Sequence, residues 1–154
     1  MAAEHDVETV ERIIHAPASE IFALLADPAK HREIDGSGTV RRAQQSSQVL
    51  TLGSKFGMSM RMGVPYSMVN EVVEFEPDRL IAWQTRPSFA PMGLFVGGRI
   101  WRYELEPTEG GTRVRESWDI RQERVKAVVR PLRRQTRRAM DATLARIDAL
   151  LTGH

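Results

Sequence analysis

Hydrophobic and polar positions along the chain change period three times. Residues 5–14 (HDVETVERII) alternate, with Val7, Thr9, Glu11 and Ile13 on one face and Val10 and Ile14 on the other, which predicts a strand rich in β-branched residues. At Ala16-Pro17-Ala18-Ser19-Glu20 the pattern switches to helical. Pro17 suits a first turn, and Ile21, Phe22, Leu24 and Leu25 form an apolar stripe. Asp27-Pro28 ends that helix and starts a second short one, through about Ile34. Gly36-Ser37-Gly38 returns the chain to β structure. Six further strands are then predicted, at 39–45, 54–62, 65–76, 79–86, 97–106 and 112–121. They are punctuated by Gly53-Ser54, Gly63, Glu76-Pro77-Asp78 and Glu109-Gly110-Gly111. Connections this short require hairpins, so the sheet should be a mostly antiparallel meander.

The last segment returns to a period of 3.6. Leu132, Thr136, Ala139/Met140, Thr143/Leu144, Ile147 and Leu150/Leu151 recur three and four residues apart. Proline is tolerated in a first turn and not in a helix interior, so the long helix is placed from Pro131 onward. Residues 122–130 are read as a connector with some helical character. A seven-stranded antiparallel sheet cannot cover its own apolar face, so the long amphipathic helix must do so. Twisted strands in this number curl. The expected architecture is therefore α+β: a curved antiparallel sheet gripping a long C-terminal helix, with two short helices after the first strand closing one end.

Composition narrows the picture. The 154 residues suit one domain, and 42% hydrophobic content argues against disorder. Residues 1–154 are accordingly expected to form a single ligand-binding unit. Cysteine is absent, which removes disulfides, thiol nucleophiles and thiolate metal sites and agrees with a cytoplasmic setting. The first residues lack the basic and apolar blocks of a signal peptide, and no apolar run is long enough to span a membrane. None of the four histidines, His5, His15, His31 and His154, has a partner at metal-ligand spacing, so neither metal nor cofactor is expected. The glycine pairs follow no phosphate-loop pattern, and Ser19 has no nucleophile-elbow context.

The net charge of +2 implies no specific nucleic-acid partner. Its distribution is uneven, with Arg130, Arg133, Arg134, Arg137 and Arg138 clustered opposite Leu132 and Thr136. That face is either solvated or a transient contact for a membrane surface or an acidic partner. Oligomeric state is not readable from the chain.

Candidate site residues come from strand parity. Phe56, Met58, Met60 and Met62 share one face of the third strand, as core or as an adaptable cavity wall. Arg99, Trp101, Tyr103 and Leu105 share a face of the sixth, and Val114, Glu116, Trp118 and Ile120 a face of the seventh. Pairing Leu105 near Thr112 would set Trp101 opposite Glu116 and Arg99 opposite Trp118. An inward carboxylate needs a partner or water, and Arg99 is the nearest same-face cation. Glu71 shares parity with Val69, Val73 and Phe75 and is expected inward unless a bulge turns it out. Such carboxylates serve either as acid or base or as structural ion pairs. Tyr66, at the start of the fourth strand, and the pair His31 and Asp35 are further candidates. Trp83 and Met140 complete the expected ligand-binding set. The segment 86–98, rich in Gly and Pro and holding Phe89, Met92, Leu94 and Phe95, is expected to act as a lid.

Three stretches carry a family resemblance: Ile14-His15-Ala16-Pro17-Ala18-Ser19-Glu20-Ile21-Phe22, the run from Val72 to Trp83 (VVEFEPDRLIAW), and Gly111-Thr112-Arg113-Val114 followed by Glu116. Together with the element order, they resemble the START-like, or helix-grip, superfamily, and within it the bacterial polyketide cyclase/dehydrase and lipid-transport (SRPBCC) branch. Asp35-Gly36-Ser37-Gly38-Thr39-Val40 is similar to an actinobacterial subgroup. The resemblance spans Val7 to Leu151. It implies a cavity for a small hydrophobic molecule between sheet and helix, and no shared catalytic signature. Three functions stay open: a carrier for a lipid or polyketide-like molecule; a cyclase or aromatase using Glu116, Tyr103, Tyr66 or His31; and an interaction module using the arginine helix.

Overall fold

A computed structural model describes residues 6–36, 40–43, 49–62, 64–87 and 97–153, with side chains for all of these except 40–43, 58–62 and 64–66. The elements are β1 (Val7–Ile14), α1 (Ala18–Leu25), α2 (His31–Ile34), β2 (Val40–Ala43), β3 (Lys55–Met62), β4 (Val64–Glu76), β5 (Leu80–Pro87), β6 (Arg99–Thr108), β7 (Gly111–Asp119), α3 (Lys126–Val129) and α4 (Arg133–Thr152). The seven strands form one sheet in the order β1-β7-β6-β5-β4-β3-β2, and every neighbouring pair is antiparallel. Strands β2 to β7 follow the chain as a meander, and β1 closes the order by pairing with β7.

Turn chemistry explains the hairpins. The β4–β5 turn places Asp78 at φ 61°, a left-handed conformation that aspartate tolerates better than most residues. In the β6–β7 hairpin Thr108 pairs with Gly111, and Gly110 takes φ 84°. The register that follows sets Tyr103 opposite Glu116, Trp101 opposite Trp118 and Leu105 opposite Val114. This differs by two residues from the pairing expected at Thr112. A shift of two preserves which face each side chain takes but changes its partner.

A bulge between Val72 and Glu74 breaks the parity of β4. Before it, Met68, Asn70 and Val72 are buried while Val69 and Glu71 are exposed; after it, Phe75 turns inward and meets Phe22 edge-on at 5.6 Å. The expectation that Glu71 points inward is thereby corrected.

Helix α4 buries Met140, Thr143, Leu144, Ile147 and Asp148. Burial of Met140, Leu144 and Ile147 contributes about 1.5–3 kcal/mol each. Arg130, Pro131 and Leu132 form a 3-10 turn ahead of it, consistent with the missing N–H of proline. The helix ends at Gly153, whose φ of 79° fits the left-handed C-cap. In the sheet it packs chiefly on β1 and β7, and its flank also meets α1 and α2.

Four arginines tie α4 and its leading turn to β1 and its lead-in. Arg130 donates to both carboxylate oxygens of Asp6, Arg133 and Arg137 to Glu8, and Arg12 to Asp148 at 2.8 Å. Burial of Glu8 opposes its charge, but the two guanidiniums prevail and hold its carboxyl below the usual range.

Gly36 follows α2 and touches α4. Its N–H donates to Thr143 Oγ1 at 2.8 Å, and a Cβ there would lie 2.4 Å from the Ala139 carbonyl oxygen and the Thr143 nitrogen. Backbone cannot yield as a flexible side chain does. Gly36→Ala is therefore expected to lower unfolding free energy by about 1–3 kcal/mol in denaturant melts. A melting curve unchanged from wild type would contradict this close approach.

Candidate functional site

The same helix that grips β1 and β7 leaves a cavity over the middle of the sheet. Its volume is about 670 Å³. The sheet supplies Phe56 from β3, Met68 and Asn70 from β4, Trp83 and Thr85 from β5, Arg99, Trp101 and Tyr103 from β6, and Glu116 from β7. Residues His31 to Gly36 close one side, and positions between Pro131 and Thr143 form the roof. Among the described lining residues only Pro131, Arg134, Gln135 and Arg138 are exposed, so they mark the mouth.

One wall is aromatic. The His31 ring stacks on Trp83 with centroids 4.9 Å apart and meets Phe56 edge-on at 5.4 Å, while Trp83 lies 5.6 Å from both Phe56 and Tyr103. His31 is buried, and its Nε2 lies 2.9 Å from the Leu25 carbonyl oxygen. Burial pushes its pKa down, more than the Leu25 contact, Asp27 and Asp35 push it up. The neutral ring therefore donates from Nε2 and carries its lone pair on Nδ1. Beside this wall Thr85 donates its hydroxyl proton to Asn70 Oδ1.

Glu116 is the buried acid of the cavity wall. Only 2% of it is exposed, and Tyr103 donates its hydroxyl proton to Oε2 at 2.7 Å. Oε1 is buried and has no hydrogen-bond partner among the described residues. Burial raises the pKa to about 8, Asp35 and Asp141 add to the rise, and the Tyr103 hydrogen bond opposes it. Burial together with Glu116 also pushes the Tyr103 hydroxyl well up. At neutral pH the pair is thus uncharged: a carboxylic acid holding its proton, steadied by a phenol. Oε1 is the atom left to carry and offer that proton.

Other expected site residues find different surroundings. Arg99 lines the cavity, but its partner is the buried Glu123, which accepts from Arg99 Nε at 3.3 Å and from the backbone N–H groups of Gly97 and Arg99 at 2.8 Å. The expected Arg99–Glu116 pairing is corrected, because Glu116 meets Tyr103. Trp118 lies in the core without lining the cavity, and its Nε1 has no hydrogen-bond partner among the described residues. Glu71 faces away. Phe89, Phe95 and the lid expected over 86–98 lie mostly outside the described residues, as do the side chains of Met58, Met60, Met62 and Tyr66. Phe56, Trp83, Trp101, Tyr103, Glu116, His31 and Met140 are brought together.

Met68, Asn70, Thr85, Arg134 and Arg138 line the cavity without having been singled out for it. Asn70 shares parity with Met68 and Val72, which was the available signal. The arginine cluster is not one surface. Arg130, Arg133 and Arg137 turn to β1 and its lead-in, whereas Arg134 and Arg138 turn to the mouth. A second hollow of about 380 Å³, lined by residues such as Glu76, Arg79, Glu106 and Arg113, uses those charges on one another. Among the described residues, no group of three His, Asp or Glu side chains could hold a metal ion. No helix there is long and apolar enough to cross a membrane.

A curved sheet around one long helix, with a cavity between them, defines a helix-grip protein of START-like type. Residues 6–152 match the family described as polyketide cyclase/dehydrase and lipid transport, and the chain belongs to it. It is 41% identical over 110 residues to the uncharacterized protein Rv0088 of Mycobacterium tuberculosis, an alignment covering 69% of this chain and 44% of that protein. The chain thus spans less than half the length of the curated relatives it matches. Among solved structures, a protein from Arthrobacter aurescens superposes with TM-score 0.76 at 17% identity, covering 99% of this chain and 89% of that one. CV1439 from Chromobacterium violaceum gives 0.74 at 16% identity, with 95% and 96% covered. DynU16, from the dynemicin biosynthetic locus, gives 0.66 at 17% identity, with 96% and 48% covered. At these identities the superpositions speak to the fold.

The raised pKa of Glu116 has a direction in stability. Below about 4.5, its ordinary value, the group is protonated whether the chain is folded or not. Between there and about 8 only the unfolded chain gives up the proton, so the contribution to stability is lost as pH rises through that window. His31 acts oppositely, losing stability as pH falls below its ordinary 6.5, so the comparison must isolate Glu116. Glu116→Gln is expected to gain on wild type in denaturant melts between about pH 5 and about pH 9. A wild-type-minus-variant difference that does not change with pH would contradict a buried neutral acid.

Proposed function

We propose that this protein binds, and carries, a small hydrophobic or aromatic molecule bearing at least one neutral oxygen acceptor. The observation that supports this most is the coincidence of a ligand-sized cavity, an aromatic wall and one uncharged acid with an oxygen unpartnered among the described residues. A volume of about 670 Å³ falls within the range of pockets that enclose small organic ligands. Apolar burial would drive binding, and rings would stack against Trp83 and its neighbours. A ketone, ester or phenol oxygen on the ligand would accept from Glu116 and complete the hydrogen bonding that the described residues leave open. Membership of the family agrees with such a ligand. Residues 1–154 are taken as one ligand-binding unit acting in the cytoplasm.

A cyclase-type activity is the second reading, and it too rests on Glu116. A carboxylic acid with pKa about 8 beside a phenol is suited to protonate a developing enolate oxygen or to remove a proton once ionised. Membership of a family that includes polyketide cyclases agrees with it, and DynU16 of the dynemicin locus shares the fold. The carrier reading needs fewer groups and is preferred.

Filling the cavity tests the proposal. Thr136 lines the roof and is only partly buried, so a larger side chain there can be tolerated. Thr136→Trp is expected to weaken the neutral fluorescent probe N-phenylnaphthylamine about tenfold or more, equivalent to roughly 1.4 kcal/mol or more. Equal affinity in the variant and wild type would place the probe elsewhere and overturn the reading.

A further inference from the structure

The start of α4 is electrostatically unusual. A helix N-terminus carries the positive end of the helix dipole, where acidic side chains are favourable and cations are not. The first turn of α4 has no acidic residue, and Arg133, Arg134, Arg137 and Arg138 crowd its first two turns. At Arg133 and Arg137 the cost is offset by Glu8. Arg134 and Arg138 have no such compensation: neither makes an ion pair or side-chain hydrogen bond with the described residues, and both are exposed at the mouth of the cavity.

The remaining charged groups of the cavity define what these two can meet. Arg99 is bound by Glu123, so its charge is matched within the protein. Glu116 is uncharged at neutral pH, and Asp35 lies on the α2 side. Depth and mouth therefore differ in chemistry. The deep acid suits a neutral oxygen, and a ligand carboxylate pressed against it would leave a charge buried without a counterion. Arg134 and Arg138 are one helical turn apart, about 6 Å along the axis, and two guanidinium forks at that spacing suit one oxyanion.

We infer that Arg134 and Arg138 bind the anionic end of an amphipathic ligand, a carboxylate, sulfonate or phosphate held at the mouth, while its apolar body fills the cavity. The inference deepens the ligand-binding reading and rests on it. It assigns the ligand a direction: charged group outward, neutral oxygen inward. It also divides the arginine cluster into three residues that hold the helix and two that select the ligand.

Two probes with the same aromatic skeleton test it: anilinonaphthalenesulfonate, which is anionic, and N-phenylnaphthylamine, which is not. Arg134→Gln/Arg138→Gln keeps helix propensity, breaks no ion pair of the described residues and removes two cations from the helix N-terminus, so its melting temperature should be no lower than that of wild type. The double variant is expected to weaken the sulfonate about five- to tenfold and to change the neutral probe by less than about twofold. If the variant binds both probes as wild type does, the anion site is refuted while the cavity reading stands. If wild type binds neither, the cavity reading fails and takes the inference with it. Flotation with phosphatidylglycerol and with phosphatidylcholine vesicles separates the source of the anion. Loss of phosphatidylglycerol binding in the variant with sulfonate affinity intact would assign the arginines to a bilayer surface and overturn the ligand site.

Discussion

Helix α4 is anchored along one side of the sheet, and the cavity is a consequence of that anchorage. Asp6 and Glu8 at the start of the chain take Arg130, Arg133 and Arg137, and Asp148 near the helix end takes Arg12. The carboxylates are largely buried and the guanidiniums about half exposed, so desolvation offsets much of the attraction and the effect of the pairs is chiefly one of placement. Burial of Met140, Leu144 and Ile147 supplies the attraction, and the ion pairs decide where along the sheet it acts. With the helix held over β1 and β7, one cylinder cannot also cover β3 to β6. The uncovered span is lined by Phe56, Met68, Trp83 and Trp101, and it becomes the cavity.

That geometry also accounts for the chemistry. Glu116 sits on β7 at the boundary between covered and uncovered sheet, near enough to the core to lose water and near enough to the cavity to line it. A carboxylate there would be expensive, so the group keeps its proton. Tyr103 is its direct cross-strand partner, and a phenol can hydrogen-bond a neutral acid without adding charge. Gly36, pressed against α4, ties the α2 wall to the helix that forms the roof. The outer rim, in contrast, keeps two arginines in water.

The fold was largely legible because every element carries a periodic signal: alternation in the strands, three-and-four spacing in α4, and turn residues at each hairpin. The face of each site residue on β6 and β7 was legible for the same reason. Partners were not. The β6–β7 hairpin turns on two residues rather than the longer turn expected, and the two-residue difference in register leaves Glu116 on its face while exchanging Trp101 for Tyr103. Glu71 turns outward because a bulge adds one residue and inverts parity, the alternative that its shared parity with Val69, Val73 and Phe75 left open. The arginine cluster shows the same limit. Spacing puts the arginines on a broad polar face, but only the position of β1 reveals that three turn toward carboxylates and two toward the mouth.

At neutral pH the cavity wall presents an uncharged carboxylic acid at Glu116. Infrared difference spectroscopy between wild type and Glu116→Gln observes that proton directly. A protonated-carboxyl carbonyl band is expected in wild type at neutral pH, absent from the variant and lost as the pH is raised through about 8. A wild-type spectrum at neutral pH showing only ionised carboxylate at this position, with the proton leaving in the ordinary range near 4.5, would contradict it.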